Sequence, residues 1–264
     1  MNNMQFDEGE RYIQSVFRAL KIMEFAGEQG RTVGLTEISR GLGLSKSTTH
    51  GIVATLERCG YLQQDVETGK YSLGLKLFEL GQAYVSNLDL RAMALPYLKE
   101  LSSHYQETAH LAVLSRGDVI YIDKVDGPLS IGINSQVGGR NPSYCTGVGK
   151  ILLSGLTDEQ VAKLYEGKAF VRYTEKTVGS VEQLLQDVHS IRKQGYAFDK
   201  EEFEIGLQCA AVPIRDAAGN IVAAISLSGP AHRLTDSKLE QVVSRMLQMA
   251  QQISGRLGYR GGGT

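Results

Sequence analysis

From residue 11 to residue 26 apolar side chains return at helical spacing. Ile13, Val16, Phe17, Leu20, Ile22, Met23 and Phe25 form the stripe, and Gly27 and Gly30 follow it as breaks, so an amphipathic helix is predicted. Leu35, Ile38 and Leu42 repeat three and four apart, which predicts a second, short helix with Thr36 placed to cap it and Gly41 and Gly43 permitting the turn that ends it. Ser45 then caps a third helix. Its Thr49, Ile52, Val53 and Leu56 fall on one face and Lys46, Ser47, His50, Gly51 and Ala54 on the other. In "YLQQDVETGKYSL" two short apolar-alternating runs, 61–64 and 70–73, flank a polar turn, the pattern of a hairpin. Helix, helix, helix, hairpin is a winged helix.

The stretch "LGLKLFELGQAYVSNLDL" places Leu75, Leu77, Phe78, Leu80 and Tyr84 around a further helix, with Asn87 and Asp89 ending it and capping the next. Beyond residue 107 the period changes to two. "TAHLAVLSRGDVIYIDKVDG" reads as a hairpin about Gly117-Asp118, "LSIGINSQVG" as a third strand, and "CAAVPIRDAAGNIVAAISLSG" as a second hairpin about Ala218-Gly219-Asn220. Helical segments lie between and after them: "YCTGVGKILLSGL", "DEQVAKLY", "SVEQLLQDVHSIRKQG" and a closing "TDSKLEQVVSRMLQMAQQISGRLG" with Thr235 or Asp236 as cap. Antiparallel strands with helices grouped beside them predict an α+β fold. The divisions expected are a flexible 1–10, a winged helix-turn-helix domain over 11–73, a linker helix over 74–90, an antiparallel-sheet domain over 91–259 and a flexible 260–264.

Composition narrows the function classes. A net charge of -1 over 264 residues, with 42% hydrophobic residues, is that of an ordinary globular protein of about two domains. Any nucleic-acid contact is therefore local. Residues 11–76 hold nine Lys and Arg against six Asp and Glu, a surplus of three whose sign suits DNA. No apolar run is long enough to span a bilayer, and "MNNMQFDEGE" lacks a signal-peptide core, so a cytoplasmic protein with no membrane partner is expected. The three cysteines, Cys59, Cys145 and Cys209, contain no C-x-x-C pair; neither a disulfide framework nor a zinc site is expected, and no cofactor.

Two helices joined by a tight glycine turn are the shape of a helix-turn-helix, whose second helix enters the major groove by its N-terminal residues. Hydroxyls and free N–H groups at that start also suit phosphate oxygens. In "RNPSYCTGVGK" Gly147 and Gly149 open a helix, so bare backbone amides there can approach an anion such as a carboxylate. Asp199 follows a short strand, Cys209 begins another, and Ser226 and Ser228, two apart, share a strand face.

"LTEISRGLGLSKSTTHGIVATLERCGYL", "KYSLGLKLFELG", "RNPSYCTGVGKILLS", "GYAFDKEEFEIGLQCAAVPI" and "AAISLSG" resemble, in that order, the IclR family of bacterial transcriptional regulators, over about residues 11–259. The resemblance implies a GAF-like effector-binding fold for the second domain, and a dimer, or a dimer of dimers, made through the first and linker helices. It carries the effector role onto the amides of Gly147 and Val148 and the side chains of Asp199, Cys209, Ser226 and Ser228, with Tyr144 and Leu152 as apolar wall. Family members commonly have Arg where this chain has Gly51, so base readout is expected from Ser47, Thr48 and His50, with Lys46 and Lys70 on phosphates. "VIYIDKVD", "GGRNPSYCTGVGK" and "GYAFDKEE" bring the chain nearest to the family's regulators of 2-keto-3-deoxygluconate and related sugar-acid catabolism. The function implied is an operator-binding regulator, a repressor, gated by a small keto or hydroxy acid. The alternatives are an aromatic acid or a glyoxylate- or pyruvate-type ligand, and a cysteine-dependent enzyme; the five histidines form no local Cys-His signature, and no catalytic residue is assigned.

Overall fold

The computed structural model describes residues 12–86, 89–129 and 135–261. The chain divides into two compact units, Met1–Asn87 and Leu88–Thr264.

In the first unit α1 (Gln14–Glu28), α2 (Leu35–Gly41) and α3 (Lys46–Arg58) close around Ile22, Ala26, Val33, Ile38, Val53, Leu56, Leu62 and Tyr71. The first helix runs past Gly27 to Glu28 and stops before Gly30, whose φ is +60°; a single helical glycine costs about 1 kcal/mol and does not by itself end a helix. Thr36 is not the cap of α2. Gly34 holds that position, and the Glu37 carboxylate accepts its amide at 3.5 Å, a reach that places Thr36 inside the first turn. Ser45 does cap α3: its Oγ accepts the Thr48 amide at 3.1 Å. The wing is β1 (Leu62–Gln64) antiparallel to β2 (Tyr71–Leu73), extended by a bridge from Val33 to Tyr71. At its tip Asp65 Oδ1 accepts the amides of Glu67 and Thr68. A fourth helix, α4 (Leu75–Ser86), starts directly from the wing.

The second unit opens with α5 (Asp89–Tyr105). Its strands are β3 (Thr108–Ser115), β4 (Asp118–Val125), β5 (Arg140–Pro142), β6 (Ala197–Lys200), β7 (Leu207–Arg215) and β8 (Ile221–Pro230). They form one antiparallel sheet in the order β5-β4-β3-β8-β7-β6. Of the strand expected over 129–138, residues 130–134 lie outside the described residues; the strand that pairs with β4 is the later β5, after a turn in which the Gly138 amide donates to the Tyr121 carbonyl at 2.8 Å. The remaining helices are α6 (Gly147–Ser154), α7 (Asp158–Tyr165), α8 (Val181–Gln194) and α9 (Asp236–Arg256). No helix among the described residues is long and apolar enough to cross a membrane.

Strand alternation gives the two sheet faces different jobs. Ala109, Leu111, Ala210, Val212, Ile225 and Leu227 join α5 and α9 in the larger core. On the opposite face Ala112, Ala211 and Ala224 meet Val148, Ile151 and Leu152 of α6. Three alanines let the helix lie close to the sheet. The residues two positions along from them, His110, Cys209 and Ser226, with Ser228 two further, line a cavity at the start of α6.

Candidate DNA-binding helix and ligand cavity

On α3, Thr49, Val53 and Leu56 are buried while Lys46, Ser47, His50 and Gly51 are exposed. The Ser45 hydroxyl lies 3.1 Å from Ser47 Oγ and donates to Thr48 Oγ1 at 2.8 Å. The helix therefore opens with a hydroxyl cluster whose geometry is locked by its own cap, beside the exposed Lys46. Lys70 is exposed at the turn end of the wing, its carbonyl accepting the Asp65 amide at 2.8 Å. Nothing lies within 4 Å of a Cβ built at Gly51, so the outer face is open where a longer side chain could stand. Two residues outside the expected set share this surface: Arg40, exposed in the last turn of α2, and Thr55, exposed one turn beyond Gly51 with its hydroxyl donated to the Gly51 carbonyl at 2.8 Å. Both types are among those that contact backbone or bases in such motifs.

In the second unit the structure brings Gly147, Val148, Asp199, Cys209, Ser226 and Ser228 together around one cavity of about 380 Å³. Asp199 lies within β6 rather than after it, opposite Cys209 of β7, which is opposite Ser228 of β8. Gly147 opens α6 with its Cα against this row: a Cβ there would stand 2.8 Å from Cys209 Sγ. The packing requires glycine, and it brings Gly147 and Val148 at the start of α6 to the cavity wall.

Two expected wall residues are elsewhere. Tyr144 packs its ring against Tyr165 and Phe170, and its hydroxyl donates to the Val171 carbonyl at 2.9 Å. Leu152 is buried between α6 and the sheet. Neither lines the cavity; a tight turn before α6 swings Tyr144 away, and the helical period puts Leu152 on the alanine side. The apolar part of the wall comes instead from Tyr121, Phe203 and Leu207.

The polar residues missed from sequence are His110, Ser135, Asn141, Thr146 and Glu204. His110 pairs with Ser226 across the strands, and its ring bonds Ser135 Oγ at 2.7 Å. Burial, with Lys124 nearby, lowers its pKa to about 3, so the ring is neutral and offers one donor and one acceptor. Asn141 donates to the Tyr121 hydroxyl at 3.2 Å. The signal is the polar His in phase with inward-facing Ala112; Asn141 lies in a segment with no alternation to read, and Ser135 in the 129–138 segment read as a strand.

Asp199 is the one carboxyl so deeply buried at the cavity. Its Oδ1 accepts the Glu202 amide at 2.8 Å, but burial dominates and raises its pKa to about 7. It can thus present either a carboxylate or a donating carboxylic acid near neutrality. Burial pushes the thiols of Cys145 and Cys209 well up, with the Asp199 charge adding to both, which leaves them protonated and without nucleophilic character. Among the described residues no group of His, Cys, Asp and Glu is arranged to hold a metal ion.

A winged helix-turn-helix in one unit and, in the other, a polar cavity at the start of a helix are the parts of a DNA-binding regulator that senses a small molecule. The comparisons agree and are specific. The IclR helix-turn-helix model matches residues 15–66, and the model for the C-terminal part of bacterial IclR transcriptional regulators matches residues 82–255. The HTH-type transcriptional regulator KdgR of Escherichia coli K12 is 38% identical over 98% of this chain and 98% of its own. XynR, an HTH-type transcriptional regulator of the same organism, is 39% identical over 94% of this chain and 98% of its own. The crystal structure of an IclR homologue from Microbacterium hydrocarbonoxydans complexed with 4-hydroxybenzoate superposes with a TM-score of 0.82 at 26% identity, covering 92% of this chain and 98% of that one. The chain belongs to the IclR family of bacterial transcriptional regulators. Its function is regulation of transcription through DNA binding, not catalysis.

Proposed function

We propose that this regulator represses a catabolic operon and is released or retained on its operator by a small 2-keto sugar acid bound in the cavity beside α6. The observation that carries the reading is the lining of that cavity: Gly147 and Val148 at the start of α6, and the hydrogen-bonding groups of His110, Ser135, Asn141, Ser226 and Ser228, with the carboxyls of Asp199 and Glu204 among them. The first suits a carboxylate and the second a chain of hydroxyls. Similarity to KdgR supports the sugar-acid class. The related 4-hydroxybenzoate complex supports an aromatic acid as the second reading, since Tyr121 and Phe203 also line the space.

In this reading residues 11–73 bind the operator, 74–90 form the joint and 91–259 sense the ligand. Lys46 and Lys70 contact phosphates and Ser47, Thr48 and His50 contact bases. The working form is a homodimer, or a dimer of dimers, in the cytoplasm. Ile13 is 73% exposed, Val16 54%, Leu75 69% and Phe78 62%; such apolar area on α1 and α4 favours cover by a second copy, which would present two recognition helices to two half-sites. Ligand and operator then share one coupling free energy of about 1–3 kcal/mol, or roughly 5- to 150-fold in affinity. Calorimetry of the purified protein with 2-keto-3-deoxygluconate, pyruvate, glyoxylate and 4-hydroxybenzoate tests the ligand class. Sugar-acid binding well below millimolar supports it; binding of the aromatic acid alone transfers the role to the second reading.

A further inference from the structure

Lys150, in the first turn of α6, is 3% exposed and does not line the cavity. Its ammonium donates to both oxygens of Glu202, at 2.7 and 2.6 Å, and to Asp187 Oδ2 at 2.6 Å. An ion pair this deep is weak evidence for stability, because desolvation offsets most of its attraction. What it does is fix positions. Glu202 sits in the turn that follows β6. Its amide holds Asp199 Oδ1, and its carbonyl accepts the Thr177 hydroxyl at 2.7 Å. The same turn supplies Phe203 and Glu204 to the cavity wall, and it is bent tightly, with Glu201 at φ +66° and Gly206 at +82°. The left-handed backbone of Glu201 holds only where its surroundings over-determine it. The helix whose start lines the cavity is thus tied, through one buried cation, to the turn that supplies Phe203 and Glu204 to the same cavity.

We propose that Lys150 is a positioning residue for the ligand cavity: its ammonium pins the Glu202 carboxylate, and the Glu202 amide in turn aims the Asp199 carboxyl at the start of α6. Its effect on ligand affinity rests on the reading of this cavity as the effector site; its hold on the turn does not. Without the cation, Glu202 is a buried carboxylate with no counter-charge, and it leaves its position or takes up a proton. Either way the tie between α6 and residues 200–206 is lost, and the turn is left to the bonds from Thr174 and Thr177 to its carbonyls.

The test is amide hydrogen exchange on the full-length protein as wild type, K150M, K150R and E202Q, with calorimetry of 2-keto-3-deoxygluconate on each. Exchange in residues 200–206 should rise about tenfold or more in K150M while β7 and β8 stay protected, and K150R should remove most of that rise. General destabilisation would raise exchange in the strands as well. Affinity for the sugar acid should fall about tenfold or more in K150M, and K150M/E202Q should bind no worse than K150M, as for two residues acting in series. Local exchange that does not change in K150M overturns the proposal whatever the ligand does. Exchange that changes as expected in a protein whose wild type does not bind the sugar acid supports the role of Lys150 and removes the sugar acid as effector.

Discussion

Replacing Gly147 with alanine adds one methyl group where α6 meets the sheet, and the structure says what that methyl meets. The new Cβ would lie 2.8 Å from Cys209 Sγ and 3.4 Å from Ala211 Cβ. Ordinary contact needs about 3.5–4 Å, so sulfur and methyl must separate by about 0.7 Å or more. Cys209 is buried and flanked by β6 and β8, and such close-packed surroundings yield little. Overpacking of this kind costs about 1–3 kcal/mol, or roughly 2–12 °C in the midpoint of a unit this size. The same displacement moves the amides of Gly147 and Val148 relative to Asp199, so ligand affinity should fall about tenfold for each 1.4 kcal/mol lost at the site. The double variant Gly147→Ala/Cys209→Ala removes the sulfur and should recover most of the stability, with a smaller recovery of affinity because Cys209 lines the cavity. Thermal unfolding and calorimetry on both variants make the check. A Gly147→Ala protein with wild-type midpoint and wild-type affinity, or a double variant less stable than the single, refutes the argument.

Asp199 carries a pH dependence of known sign. Its carboxyl keeps its proton to about pH 7 when folded and releases it near about pH 4 when unfolded, so this group's contribution to stability is full below about pH 4 and is lost as pH rises through about 7. Denaturant midpoints between about pH 5 and 8 should therefore fall less steeply in Asp199→Asn than in wild type, and carboxylate affinity in wild type should weaken over the same range as the site acquires a second negative charge. Gly51→Arg should stabilise the first unit by up to about 1 kcal/mol, since nothing crowds its Cβ, and should shift operator preference by about 1–3 kcal/mol toward sites with guanine at one position; selection of binding sites from random DNA measures it, and unchanged preference removes Gly51 from the groove-facing set. Lys46→Ala should weaken binding evenly across sequences and reduce the slope of log affinity against log salt by about one; a sequence-selective loss would make Lys46 a base reader instead.

Much of this was legible from residue order because two periods carry it. Thr49, Val53 and Leu56 announced the inner face of α3, and Ser226 and Ser228 announced one face of β8, since a period of two admits no other arrangement. Ser45 was readable as a cap because a hydroxyl before an apolar stripe has few other uses. Positions set by packing between distant segments were not readable. Tyr144 and Leu152 are apolar and close in sequence to the α6 start, but whether they face the cavity depends on Tyr165, Phe170 and the alanines of three strands. His110, Asn141 and Glu202 come to the site from β3, β5 and the turn after β6, and nothing in their local sequence says they converge. The end of α1 was misplaced for a smaller reason, one glycine read as a stop where its helix tolerates it.

The central claim is that one chain links a small acid to an operator. Fluorescence anisotropy on DNA from upstream of the protein's own gene, at fixed salt, with and without 2-keto-3-deoxygluconate, tests it most directly. The account expects specific binding whose affinity changes by roughly 5- to 150-fold with the sugar acid. Specific binding that the sugar acid leaves unchanged, in a protein that calorimetry shows to bind it, would contradict the linkage.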